Sequence, residues 1–124
     1  MSPELNRRLC ESYPEILGRL RLDCGDGWYT LIDTACFLSM QVMEENHLVA
    51  LQVKEKFGGL SMLIHGGDVR TRAFVEFAEV MSENICELCG RPGVLLGNHD
   101  GGWLRTRCGA CDAAEGDSYL PDAP

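Results

Sequence analysis

The spacing of apolar residues changes period several times along this chain, and each change marks an element. From Trp28 to about Asn46 the apolar positions Trp28, Leu31, Ile32, Ala35, Leu38 and Val42 recur at helical spacing, which predicts the longest helix. Phe37 and Met40 fall off that stripe, so the helix either packs on two sides, the reading favoured, or exposes an apolar patch. From Leu48 to His65 the period drops to two, as in a β-hairpin. Val49, Leu51, Val53 and Phe57 fall on one face, and Gln52, Lys54, Lys56, Ser61, Leu63 and His65 on the other. Gly58-Gly59 is the expected two-residue turn, pairing Phe57 with Leu60, Glu55 with Met62 and Val53 with Ile64. A second helical stripe, Phe74, Phe77, Ala78 and Met81, predicts a helix from about Val69 to Glu83, with Gly66-Gly67-Asp68 closing the hairpin and capping the helix.

The flanks are shorter elements. Ser2-Pro3-Glu4 combines an N-cap serine, a proline at the first helical position and an acid in the first turn, so a short helix should reach about Ser12. Tyr13-Pro14 breaks it, and a further short turn or helix runs toward Leu20. Asp23 to Gly27 reads as a turn, with Asp26 as a cap for the long helix rather than part of a calcium loop, because the third acid and the distal glutamate are missing. Near the C-terminus, Val94 to Leu96 and Trp103 to Arg107 are candidate strands joined by Asn98 to Gly102. The acidic residues after Ala113 are expected to form a loosely ordered tail.

The chemistry sits in four cysteines. Cys86-x-x-Cys89 and Cys108-x-x-Cys111 are separated by eighteen residues, the spacing of a tetrahedral zinc site. Each pair forms a knuckle, and the intervening stretch can return as a short hairpin. Two disulfides are the competing reading. Three more cysteines, Cys10, Cys24 and Cys36, make an odd total of seven, which fits a disulfide framework poorly. Four sulfurs close the coordination shell and leave no position for substrate, so one structural Zn2+ is the expected cofactor. No Ser/His/Asp set, phosphate loop or spaced pair of carboxylates stands out, so no catalytic residue is assigned. His99-Asp100, between the two cysteine pairs, has a distant look of an HNH nuclease. Cys108 comes only nine positions after His99, and Asp112 follows the last cysteine where His or Asn is common. A polar hairpin loop is the reading favoured there.

Charge changes the picture of partners. The net charge is −8, with thirteen acids and eight bases up to Ile85 and six acids and three bases from Cys86 onward. Only Arg91, Arg105 and Arg107 lie in the C-terminal part, too few for a ribbon that grips phosphates. The balance argues against direct nucleic-acid binding and for a protein or nucleoprotein partner with a basic surface. Lys54 and Lys56 are the only lysines, and alternation puts them on one hairpin face beside His65. These three, with the acidic residues Asp33, Glu44 and Glu45 of the long helix, are the candidate partner-contact residues. No apolar run approaches a membrane span and the first residues lack a signal-peptide core, so a cytoplasmic location is expected.

Cys24-Gly-Asp-Gly-Trp-Tyr, Val53-Lys-Glu-Lys-Phe-Gly-Gly-Leu60, and Ile85-Cys-Glu-Leu-Cys-Gly with Trp103-Leu-Arg-Thr-Arg-Cys together resemble a group of small phage and bacterial proteins. Those proteins carry a similar C-terminal zinc ribbon and mostly lack an assigned function. The resemblance implies a phage or mobile-element setting, in the bacterial host cytoplasm, and carries over no catalytic residue. The expected architecture is α+β: an α+β domain over residues 1–84 with helices packed on a small antiparallel β-hairpin sheet, a zinc ribbon over 85–113, and an acidic tail over 114–124. The expected role is a non-enzymatic, zinc-stabilised binding protein acting by protein–protein contact, as an anti-CRISPR-like inhibitor of a bacterial defence complex. The alternative is a nucleic-acid-directed accessory protein or degenerate HNH-type nuclease.

Overall fold

The computed structural model describes residues 1–97 and 103–119, with side chains through Glu115. Its elements follow the α+β order α1 Pro3–Ser12, α2 Pro14–Leu17, a single 3-10 turn Asp26–Trp28, α3 Tyr29–Val42, β1 Val49–Lys56, β2 Gly59–His65, α4 Val69–Ser82, β3 Val94–Leu96, β4 Arg105–Arg107 and α5 Gly109–Tyr119. The strands form two separate antiparallel pairs, β1 with β2 and β3 with β4. The core lies between α1 to α4 and the inner face of the first pair, and includes Leu9, Ile16, Leu17, Leu22, Trp28, Ile32, Leu48 and Val53.

Local chemistry explains the helix starts. The Ser2 hydroxyl accepts the Leu5 N–H ahead of Pro3. At α4 the Asp68 carboxylate accepts the Thr71 N–H at 3.0 Å while the Thr71 hydroxyl accepts the Asp68 N–H at 2.9 Å, a reciprocal capping box. Asp26 does not cap α3. Its carboxylate accepts the Ser2 N–H at 2.7 Å, which ties the start of α1 to the turn before α3. α3 also stops at Val42, so Glu44 and Glu45 lie in the connection to β1 and not on the helix.

The hairpin differs in register from the expected one. Lys56 pairs with Gly59, Lys54 with Ser61 and Val53 with Met62, so the turn is Phe57-Gly58. Both central residues have positive φ, 53° and 85°, as the tight hairpin turn matching strand twist requires. The Gly58 N–H donates to the Glu55 carboxylate at 2.7 Å, and the Gly58 carbonyl accepts the Thr106 hydroxyl at 2.7 Å. This second contact is long-range and was not legible locally. A bulge between Ala50 and Gln52 leaves Leu51 unpaired and shifts the phase of burial. Leu48 and Ala50 are buried before it and Val53 after it, so Val49, Leu51 and Phe57 are exposed rather than in the core.

Both outer edges of the hairpin are covered. Along β1, the Asp23 N–H donates to the Val53 carbonyl and the Glu55 N–H to the Asp23 carbonyl, each at 2.9 Å. Along β2, the Leu60 N–H donates to Ser82 Oγ and the Met62 N–H to the Glu79 carboxylate. These contacts block edge-to-edge pairing and dock α4 on the sheet.

The helix stripes are also rotated. α3 buries Ile32, Ala35, Cys36 and Ser39, and α4 buries Thr71, Val75, Ala78 and Ser82. Small and hydroxyl-bearing residues occupy the close contacts because they allow near approach, and Thr71 and Ser82 arrive with their hydroxyls already bonded. Leu38, Phe37 and Phe77 turn outward instead. After Cys108 the chain forms α5, reaching Tyr119, where an irregular tail was expected from residue 114. The salt bridges of Asp112 and Glu115 to Arg105 and Arg107 hold it against β4.

The turn yields a stability prediction. A bulky residue at positive φ costs about 1–2 kcal/mol, and asparagine tolerates that region better. Phe57→Asn is expected to stabilise the metal-loaded protein by about 0.5–1 kcal/mol in urea unfolding. Gly58→Ala is expected to destabilise it by more than about 1 kcal/mol, because a Cβ there would lie 2.5 Å from Leu95 at a φ of 85°. Destabilisation by Phe57→Asn would mean that the aromatic ring is held by packing.

Candidate metal centre

Two turns bring the cysteines together. The first knuckle leaves the end of α4: the Gly90 N–H donates to the Cys86 carbonyl at 2.9 Å and the Cys86 N–H to the Arg91 carbonyl at 2.7 Å. Gly90 has φ 81°, which lets the chain reverse behind Cys89. The second knuckle opens α5, with the Asp112 N–H donating to the Cys108 carbonyl and the Cys111 N–H to Cys108 Sγ. β3 and β4 pair Val94 with Arg107 and Leu96 with Arg105, returning the second knuckle to the first. The sulfurs of Cys86, Cys89, Cys108 and Cys111 all lie within 4.8 Å of one another.

That geometry fits one metal ion. The Cys89 and Cys108 sulfurs are 3.6 Å apart, far beyond a disulfide bond of about 2.05 Å. A tetrahedron of zinc–sulfur bonds of about 2.3 Å has edges of about 3.8 Å. The clustered thiols also shift one another's titration. The Cys111 N–H, and then the neighbouring thiols, hold the Cys108 thiol down at about 7. Hydrogen bonding to Cys108, followed by burial and the other sulfurs, pushes Cys111 up to about 12. Four thiolates this close repel one another, and a dication relieves that repulsion. Four soft sulfur donors suit zinc and leave no open coordination position.

The remaining cysteines stand apart. Burial pushes the thiols of Cys24 and Cys36 up to about 12, which makes them poor nucleophiles. Cys10 is half-buried against the Leu20 carbonyl.

Around the centre lies a polar network that sequence reasoning missed. Glu87, between the first two cysteines, is buried, and its carboxylate accepts the Gly25 N–H at 2.9 Å and Arg107 Nη1 at 3.2 Å. Arg107 is itself buried and also pairs with Glu115. Arg105 pairs with Asp112 at 2.9 Å, and Trp103 lies over both guanidinium groups at 5.1 and 5.6 Å. Two of the three arginines in this part are thus spent internally, leaving Arg91 exposed. Only the i, i+2 spacing of Arg105 and Arg107 on a strand hinted that they share a face.

The candidate contact residues are dispersed. Lys54 and Lys56 share the outer hairpin face, paired with Ser61 and Gly59. His65 is on that face too, but opposite Val49, about 13 Å along the strand from Ser61. Asp33 is half-buried and accepts the Tyr13 hydroxyl at 2.7 Å, so it is engaged inside the fold. Glu44 and Glu45 are exposed. His99 and Asp100 lie outside the described residues. No described helix is long and apolar enough to cross a membrane. No protein family, curated protein or solved structure matches this chain.

Elemental analysis of protein purified without chelator should find about one zinc per chain. Cys108→Ser should lose the metal and Cys10→Ser should keep it. Affinity should fall as pH falls, because protons compete for every thiolate. Fully folded, metal-free wild-type protein would contradict this assignment. Breaking the buried pair with Arg107→Met should cost about 3–5 kcal/mol in unfolding of the zinc-loaded protein, because Glu87 would be left buried without its counter-ion.

Proposed function

We propose that this protein is a non-enzymatic, zinc-stabilised binding protein that works by protein–protein contact. The observation that carries this reading is the placement of its aromatics. None of the four phenylalanines is in the buried core: Phe57 is 73% exposed, Phe77 66% and Phe37 52%, with Phe74 half-buried. Trp103 is 49% exposed on the metal-bearing part. Aromatic and apolar groups displayed to this extent favour a contact surface. Phe57 is the sharpest case, a bulky side chain held at positive φ on a clamped turn with Lys56 5.6 Å from its ring.

The partner we propose is a protein or nucleoprotein with a basic surface, steered by the −8 net charge. The sharpest version is a phage or mobile-element inhibitor of a bacterial defence complex, which rests on the motif resemblance alone. Internal pairing of Arg105 and Arg107 supports reading the cysteine part as a structural element and not as a phosphate grip.

Binding to a partner purified after affinity capture from the host tests this. Association should slow as salt rises, with dissociation changing less. Phe57→Asn should cost about 2 kcal/mol or more of binding while zinc content holds and stability does not fall. Lys54→Glu with Lys56→Glu asks whether the adjoining strand face takes part. Normal binding by the Phe57 variant removes the hairpin tip from the interface, and salt-independent binding removes the electrostatic premise. Plasmid and single-stranded DNA should survive incubation with magnesium or manganese. Cleavage abolished by His99→Ala would overturn the non-enzymatic reading.

A further inference from the structure

We propose that the groove between α1 and the segment Gly18–Arg21 binds the phosphate group of a small phosphorylated ligand. Charge in this chain is unevenly placed. Residues 1–22 hold four arginines against three glutamates, whereas the rest holds seven bases against sixteen acids. Three of those arginines border one surface concavity. A concavity of about 440 Å³ is lined by Arg7, Arg19 and Arg21 with Asn6 and Leu20, and no acidic side chain lines it. A second concavity of about 490 Å³ shares Asn6, Arg7, Arg19 and Leu20, and Glu11 lies at its far end. The basic end of the combined groove is therefore the end near Arg21.

The groove is built, not incidental. Asn6 reaches from α1 to hold the segment as a strand neighbour would: its Nδ2 donates to the Leu20 carbonyl at 2.9 Å and its Oδ1 accepts the Leu22 N–H at 2.7 Å. Gly18, at φ 56°, reverses the chain after α2 so that this segment can lie beside α1. Leu20 is half-buried against the core, and Arg19 and Arg21 flank it with exposed guanidinium groups. Arg19 has no ion pair among the described residues. Arg7 pairs with Glu11 and Arg21 with Asp23, in solvent-exposed contacts of 2.9 and 3.1 Å that exchange readily. A planar guanidinium offers paired donors that match phosphate oxygens, and several around one site bind a dianion better than separate carboxylates. A long polyanion is disfavoured, because it would run onto the acidic remainder of the surface. The ligand class is thus a compound with one or two phosphates. This proposal does not depend on the protein-contact reading.

Titration of the zinc-loaded full chain with pyrophosphate, followed by calorimetry and by amide chemical shifts, tests it. Saturable one-to-one binding below about 1 mM at low salt is expected, with shifts centred on Asn6, Leu20 and Arg21. Arg19→Gln with Arg21→Gln should weaken it about tenfold or more, and Lys54→Gln with Lys56→Gln should not change it. Zinc content and thermal unfolding of both variants confirm that they fold. Absence of saturable binding, or equal weakening by the lysine pair, overturns the site. Affinity for oligothymidylates that rises with length overturns the small-ligand assignment.

Discussion

Everything in this structure depends on how closely the turn Cys24–Trp28 approaches the first cysteine knuckle. A Cβ on Gly27 would sit 2.0 Å from the Cys86 carbonyl oxygen, and one on Gly25 would sit 2.3 Å from that of Glu87. Only glycine allows two backbones to come so near. The approach is secured by the Gly27 N–H donating to the Glu87 carbonyl at 2.7 Å and by the buried Trp28 indole donating to the Ile85 carbonyl at 2.9 Å. The start of α3, the end of α4 and the first cysteine of the cluster are thereby one junction.

A second junction completes the frame. The Phe57-Gly58 turn meets β3 and β4 through the Thr106 hydroxyl and the side chain of Leu95. The C-terminal part has few buried apolar groups of its own: among the described residues from 85 to 115, Cys86 is the only buried hydrophobic one. Its order comes from docking at these two junctions and from the Glu87–Arg107–Glu115 network, and its four clustered cysteines could add a metal ion to that frame. In return it holds the hairpin tip at a backbone conformation that Phe57 would not adopt freely.

Much of this was legible in the sequence because it is local. Cysteine spacing, the Ser2 and Asp68 caps, and the order of helices and strands as far as β4 follow from residue type over a few positions. What was missed depends on contacts distant in the chain. Hydrophobicity alone chose Leu38 and Phe77 for the core, where close helix approach selects Ser39 and Ser82. Strict alternation could not foresee the bulge at Leu51. The turn moved from Gly58-Gly59 to Phe57-Gly58 under contacts from residues almost fifty positions away. Glu87 and Arg107 look like surface charges until the knuckle buries them together. Residues of the motifs quoted for the resemblance meet at the two junctions: Cys24 to Trp28 on Cys86 and Glu87, and Gly58 on Thr106.

The central claim is that the cysteine centre and the helical part stabilise one another through the Gly25–Gly27 contact. Hydrogen exchange of the wild-type protein, with its metal and after removal by a strong chelator, tests it most directly. The account predicts that the amides of Gly27 and Glu87 and the indole N–H of Trp28 lose most of their protection without metal, while those of Ile32 and Cys36 within α3 keep theirs. Unchanged protection at Gly27, Glu87 and Trp28 after metal removal would contradict it.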